Sequence, residues 1–206
     1  YKFWFSKMLM NNFSNSNFEA GVDEAGRGSL AGPLTAAAVI LPKDYENDAL
    51  DDSKKLSEKK RFQLKSIIEK DSIDFAVFFI SPFIIDKINI LNSTFKAMHG
   101  ALNNLKTIPS FIVVDGNKFK KFKNINHKCV VKGDAKYQNI AAASILAKTY
   151  RDSYMIDQHN RFPVFGWDKN KGYGTEFHIT NIKKYGISEL HRKSFVIKKS
   201  QTRLEL

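Results

Sequence analysis

The run "FIVVDG", residues 111–116, constrains the fold of this chain more than any other stretch. It is almost wholly apolar and ends on Asp115, the pattern of a central strand buried on both faces. "CVVKGD", residues 129–134, repeats that pattern and ends on Asp134. Ahead of them, "FEAGVDEA" and "LTAAAVIL" read as two strands joined by the turn at 26–33, and "DFAVFFI" as a third. "SEKKRFQLKSIIEK" reads as a helix with Ser57 as N-cap, and "IIDKINILNSTFKAMHGALNNL" as helix in two pieces. A long helix is predicted from about Gln138 to Gln158. Strands come first, then helix and strand alternate, so the expected class is α/β, a mixed central sheet with helices packed on it. At 206 residues, without internal repeat or linker, the chain fits one domain over 18–206. Residues 1–17 read as an N-terminal extension, poorly ordered and outside the functional argument.

Acids at the ends of buried strands lie where open α/β sheets commonly place ligands. In "GVDEAGRG", residues 21–28, two adjacent acids stand against a glycine-rich turn carrying Arg27. Glycines on either side of Arg27 let the backbone approach a ligand closely. Asp23 and Glu24 would repel an anionic ligand unless a cation sat between, and carboxylate oxygens suit Mg²⁺ or Mn²⁺. Neighbours in a regular strand point to opposite faces, so a shared site requires the strand to distort or end there. Asp115 also suits the first position of an Asp-Gly turn, and Asp134 a helix N-cap. Together the four acids make a coherent cage for two divalent ions. "GRGSLAG" misses the dinucleotide-loop spacing by one residue, and Pro33 with an apolar strand follows where a crossover helix should begin, which excludes that reading.

Charge says what such a site would face. Lys and Arg number 33 against 21 Asp and Glu, a net charge of +12, which favours a polyanion, nucleic acid before membrane. The aromatic start "YKFWFSKMLM" is interrupted by Lys7 and reads as neither signal peptide nor membrane span. Cys129 is the sole cysteine, so no disulfide framework exists and a reducing cytoplasm fits; in its apolar run it reads as a small buried strand residue. The histidines at 99, 127, 159, 178 and 191 lack metal-ligand spacing and read as structural.

The blocks "GVDEAGRGSLAGPL", "DDSKKLS", "VVDGN", "KGDAKYQNIAAASILAK", "RD", "GYGT" and "HRKSF" occur in the order of bacterial ribonuclease HII, which the chain resembles from about residue 21 to 195. Ser29 departs from that pattern, standing where proline is expected after "GRG". The resemblance implies a ribonuclease H-like fold and a monomeric, metal-dependent endonuclease. It would act on the RNA strand of RNA–DNA hybrids and on single ribonucleotides in duplex DNA. Cleavage on the 5′ side would leave 3′-hydroxyl and 5′-phosphate ends.

The matching catalytic and metal-binding acids are Asp23, Glu24, Asp115 and Asp134, with two Mg²⁺ or Mn²⁺ ions. Gly26, Arg27 and Gly28 match the segment that senses the 2′-hydroxyl, the group that tells RNA from DNA. Tyr173 matches a tyrosine that packs on the sugar at the ribo-to-deoxyribo junction. Ser53, Lys54 and Lys55 precede a helix and are phosphate-contact candidates, with Leu56 as an apolar staple. Ser144, Lys148 and Asp152 recur every fourth residue and share one helix face, with Asp152 a candidate to support Asp134 from behind. Lys148 and Arg151 are further phosphate candidates. Two competing readings remain: another nuclease of the same fold acting on all-DNA substrates, such as a junction resolvase or transposase core, and a catalytically silent hybrid-binding module.

Overall fold

The structure, a computed structural model, describes residues 9–195. Strands β1 (Glu19–Ala25) and β2 (Leu34–Ile40) lead into helix α1 (Glu58–Asp71), strand β3 (Asp74–Ile80) and helix α2 (Pro82–Asn104). Strands β4 (Phe111–Asp115) and β5 (Asn126–Val130) follow, then helices α3 (Gln138–His159), α4 (Trp167–Asn170) and α5 (Glu176–Tyr185). The strands form one sheet in the order β3-β2-β1-β4-β5, antiparallel among the first three and parallel across β1, β4 and β5. The expected α/β class with a mixed central sheet and flanking helices is the observed one.

Residue size explains how the layers close. β2 is buried along its whole length. Ala36, Ala38 and Ile40 meet α2 on one face, while Ala37 and Val39 meet α1 and α3 on the other. The alanine run 141–143 of α3 lets that helix sit close on the sheet. At the closest approach, a Cβ on Gly21 of β1 would lie 2.2 Å from the carbonyl carbon of Asn139. Ser57 and Ser81 cap α1 and α2 by accepting from the backbone N–H groups of Lys60 and Ile84. The two pieces expected of α2 meet at Asn89, whose φ of 65° breaks the helix and whose side chain recaps it by accepting from Asn92 N–H at 3.1 Å.

Two expectations are corrected. "CVVKGD" is not a second buried strand ending on an acid. β5 is an edge strand that stops at Val130, and Val131 beyond it is 57% exposed. Lys132 then adopts φ 55° and turns the chain into a 3-10 turn, Gly133–Ala135, which carries Asp134. Cys129 accordingly is only half-buried. A short apolar run reports burial of some kind but not which position in a sheet supplies it. Nor is the whole N-terminal extension loose: Leu9 packs in the α3-side core, Met10 bridges to Tyr137, and the N–H groups of Phe13 and Ser14 donate to the Glu19 carboxylate.

The contact at Gly21 generates a direct expectation. Gly21→Ala should destabilise the protein by about 1–3 kcal/mol through overpacking against helix backbone. Gly28→Ala, where a Cβ would meet nothing within 4 Å, should change stability by no more than about 0.5 kcal/mol. Urea denaturation of the two variants checks the contrast.

Candidate active site

β1 stays regular and paired with β2 through Ala25, so it does not distort to bring its acids together. Asp23 points with Gly21 and Ala25 toward α3, and Glu24 points with Val22 toward α2. They still reach one place, because the site wraps around the end of the sheet instead of lying on a face. A cavity of about 640 Å³ there is lined by residues 23–28, Ser53, Lys54, Asp115, Ser144, Lys148 and Tyr173. Of the residues singled out for the acids, their supports and substrate contact, Asp134, Asp152, Lys55 and Arg151 lie outside that lining.

Each acid is held by the protein. Asp23 Oδ1 accepts from the Glu24 N–H at 2.7 Å, and Glu24 Oε1 pairs with Arg27 at 3.2 Å. Asp115 ends β4, and its Oδ1 accepts from the Gly133 N–H at 2.7 Å, tying the strand end to the turn that bears Asp134. Gly116 has φ 101° and bends the chain away after Asp115, which lines the cavity; its N–H bonds to Val130 O of β5 at 3.0 Å and no hydrogen bond closes an Asp-Gly turn among the described residues. Asp134 is not an N-cap, since Tyr137 occupies that position without a side-chain bond. Its Oδ2 lies 3.8 Å from Lys54 Nζ.

The electrostatics show an excess of negative charge. Burial, then the charges of Glu24 and Asp115, hold the Asp23 carboxyl well above its usual range, against the opposing bond from Ser144. Burial raises Glu24 too, with Arg27 pulling it down. Asp134 is pushed up to about 6 by burial and by Asp115 and Asp52. Carboxylate oxygens in repulsion are the hard donor set that Mg²⁺ or Mn²⁺ would neutralise. By chemistry the residues fit such ions, although among the described residues no three acid, His or Cys side chains converge closely enough to bind one as they stand.

The supporting residues sort differently from their sequence pattern. The Ser53 hydroxyl is buried and bonded to that of Ser144 at 2.9 Å, so it backs Asp23 through Ser144. Lys54 is 79% exposed at the cavity rim, whereas Lys55 is engaged with Asp51 at 2.9 Å. Leu56 packs against the α3-side core. Asp152 does not back Asp134: its two oxygens hold Lys148 Nζ at 2.5 and 2.6 Å and its Oδ2 lies 3.8 Å from Arg61, which fixes Lys148 at the cavity wall. Arg151 is no phosphate ligand, because it is fully buried and donates to Pro33 O, Lys171 O, Ala31 O and Ser29 Oγ. An i, i+4 spacing shows which residues share a helix face, but Arg151 projects from a different face, into the packed turn. Ser29 also donates to Gly26 O at 2.9 Å, so a buried hydroxyl braces the turn in place of a proline ring.

Two contributors escaped the sequence reading. Asp52 acts on Asp134 and lies 3.8 Å from Lys54 Nζ; the doublet in "DDSKKLS" was its only signal. Arg192 donates to Arg27 O and Gly32 O from the far end of the chain; its place in the block "HRKSF" was its only signal, and that gave it no role.

Comparison with known proteins shows the family of the chain and the relatives of its fold. The sequence model of the family described as Ribonuclease HII matches residues 20–198. A ribonuclease HII of Bacteroides fragilis is 55% identical over 188 residues, 91% of this chain and 94% of that protein. One from Christiangramia forsetii is 53% identical over 197 residues, 95% of this chain and all of that protein. The crystal structure of the ribonuclease H2 from Pyrococcus horikoshii OT3 superposes with a TM-score of 0.73 at 27% identity, covering 86% of this chain and 93% of that one. Among the described residues no helix is long and apolar enough to cross a membrane.

Asp134 supplies a test of the charge excess. With its carboxyl raised from 3.8 to about 6, the folded protein binds that proton more tightly than the unfolded chain does. Its contribution to stability is therefore largest in acid and is lost as pH rises through about 6. Asp134→Asn should stabilise the EDTA-treated protein at pH 7 by on the order of 1 kcal/mol, and the gain should disappear near pH 4. Urea unfolding at the two pH values measures both.

Proposed function

This chain belongs to the ribonuclease HII family of metal-dependent endonucleases, which cleave RNA in RNA–DNA hybrids, and from that premise we propose a fuller activity. The protein cuts the RNA strand of hybrids and also cuts on the 5′ side of single ribonucleotides embedded in duplex DNA. It leaves 3′-hydroxyl and 5′-phosphate ends and uses two divalent ions, Mg²⁺ or Mn²⁺. The observation that carries this reading is the single cavity that gathers Asp23, Glu24 and Asp115 with the turn 26–28, Lys148 and Tyr173.

Asp23, Glu24, Asp115 and Asp134 would hold the ions. When bound, these supply an activated water and charge stabilisation at the leaving 3′-oxygen. The chain's own groups do the positioning. Lys54 at the rim and Lys148 in the wall offer positive charge to phosphates, and Asp152 keeps Lys148 aimed. Arg27, half-exposed, is free to exchange Glu24 for a phosphate once that carboxylate turns to a cation. Open space beside Gly28 lets backbone N–H and C=O groups reach a 2′-hydroxyl. Phosphate contacts cannot distinguish the sugars, so discrimination falls to this turn and to the Tyr173 ring, whose flat face suits a deoxyribose. A site built to bond a hydroxyl rejects its absence strongly.

The test is a DNA duplex with one embedded ribonucleotide, an RNA–DNA hybrid and an all-DNA duplex, each with Mg²⁺, Mn²⁺ or EDTA. Metal-dependent cleavage of the first two at the 5′ side of ribose is expected; cutting of all-DNA at a similar rate would sink the reading. Asp115→Asn keeps the acceptor for Gly133 N–H, so it should fold yet lose at least ~100-fold in rate. Tyr173→Ala should lose more on the single ribonucleotide than on continuous RNA; equal losses would make Tyr173 a general structural residue.

A further inference from the structure

Two buried histidines that take no part in that chemistry form a chain with only one consistent set of protons. The Ser188 backbone N–H can only donate, and it points at His191 Nδ1 from 2.9 Å, so that nitrogen is bare and the neutral ring carries its proton on Nε2. The Tyr173 carbonyl can only accept, and it lies 2.9 Å from His178 Nδ1, so that nitrogen carries the proton. His178 Nε2 is then bare and accepts from the Trp167 indole N–H at 3.0 Å and from His191 Nε2–H at 3.1 Å. Burial keeps both rings neutral at pH 7, lowering His178 and taking His191 to about 4. The chain thus runs from Ser188 through both rings to the backbone of Tyr173.

The residue after His191 reaches the other side of the cavity. Arg192 Nη1 donates to the Arg27 carbonyl at 3.0 Å, and its Nε and Nη2 donate to Gly32 O. Backbone bonds complete the strap: Leu30 N–H and Ala31 N–H to Gly172 O, Gly32 N–H to Leu190 O, and Arg192 N–H to Leu30 O. One short segment, 188–192, is therefore bonded to the turn 26–28 and linked through His178 to the Tyr173 carbonyl.

We propose that His191 and Arg192, with His178 as the link, form a spacer that sets the gap between the turn 26–28 and Tyr173 and thereby tunes how well this site acts on a lone ribonucleotide compared with continuous RNA. The inference rests on the function proposed above, in which the turn meets the 2′-hydroxyl and Tyr173 the neighbouring sugar. On a lone ribonucleotide both elements must engage one dinucleotide step, so an error in their spacing is felt fully there. On continuous RNA, the deoxyribose that Tyr173 would meet is absent, so the spacing matters less. These are positioning residues, and none of them touches the reacting phosphate.

The readout is the ratio of cleavage rates on the single-ribonucleotide duplex and the hybrid. His191→Phe keeps the ring packed on Phe165, now at 4.7 Å, but removes its bonds to the Ser188 N–H, the Ser188 hydroxyl and His178, and the ratio should fall about tenfold. His191→Gln restores an N–H where Nε2–H stood and should hold the ratio within about threefold of the parent. In the unaltered protein at pH 7, ¹⁵N chemical shifts should show His191 protonated on Nε2 and His178 on Nδ1, a measurement that stands even if the phenylalanine variant fails to fold. An unchanged ratio in folded His191→Phe, an equal loss on both substrates, or the opposite tautomer at His191 overturns the spacer while leaving the activity intact. An unaltered protein that does not cut at a single ribonucleotide overturns the proposed activity and the spacer with it.

Discussion

The site depends on one buried guanidinium. Arg151 leaves α3 beneath the turn that follows β1 and places its donors on Pro33 O, Ala31 O, Ser29 Oγ and Lys171 O, at 2.7 to 3.0 Å. A charge this deep is tolerated because oxygens surround it and the Tyr173 ring lies 5.3 Å from its centre. Arginine suits the role because its planar fork addresses several acceptors at once. Gly26 is glycine for the same reason: its φ is 89° and a Cβ there would lie 2.0 Å from Arg151 Nε. Helix, turn and tyrosine loop are thus hung on one side chain, and the cavity takes its shape from it.

Around that anchor, charge is arranged in opposition to the average of the molecule. A chain with net charge +12 concentrates its acids at one sheet end, where burial and mutual repulsion raise Asp23, Glu24 and Asp134. Carboxyls perturbed this strongly at the wall of a cavity give up stability and are the kind of group that functional sites hold. Arg27, Lys54 and the N–H groups of Glu24 and Gly133 hold the acids in place meanwhile. All four of those groups are cations or backbone, so the acids are restrained without soft ligands being introduced.

Much of this was legible in local pattern. "FIVVDG" became the buried β4 with Asp115 at its end, and "LTAAAVIL" the buried β2, because uninterrupted apolar runs have few alternatives to a sheet covered on both faces. Ser57 was legible as a cap and α2 as two pieces, because these are decided within a helical turn. The same logic failed for "CVVKGD", since whether an apolar run lies at the centre or the edge of a sheet depends on neighbours far away in sequence. It failed for Arg151 and Asp152 as well. Helical spacing assigned each a face, but which element covers that face is settled by packing.

The sequence by itself determined the class of the fold and the cationic excess, and it marked the four acids and the glycine-flanked Arg27 as candidates, because residue type and near-neighbour spacing carry that information. Only the tertiary structure decided that Asp23 and Glu24 meet the site from opposite faces of an undistorted strand. It alone put Asp134 in a turn held by Asp115, turned Ser53 inward to Ser144, and joined residues 27 and 173 through His191 and Arg192. Those facts arise from contacts between segments more than a hundred residues apart in some cases. A hydrogen bond or a steric limit exists only once both partners are in place, so no local pattern can encode it.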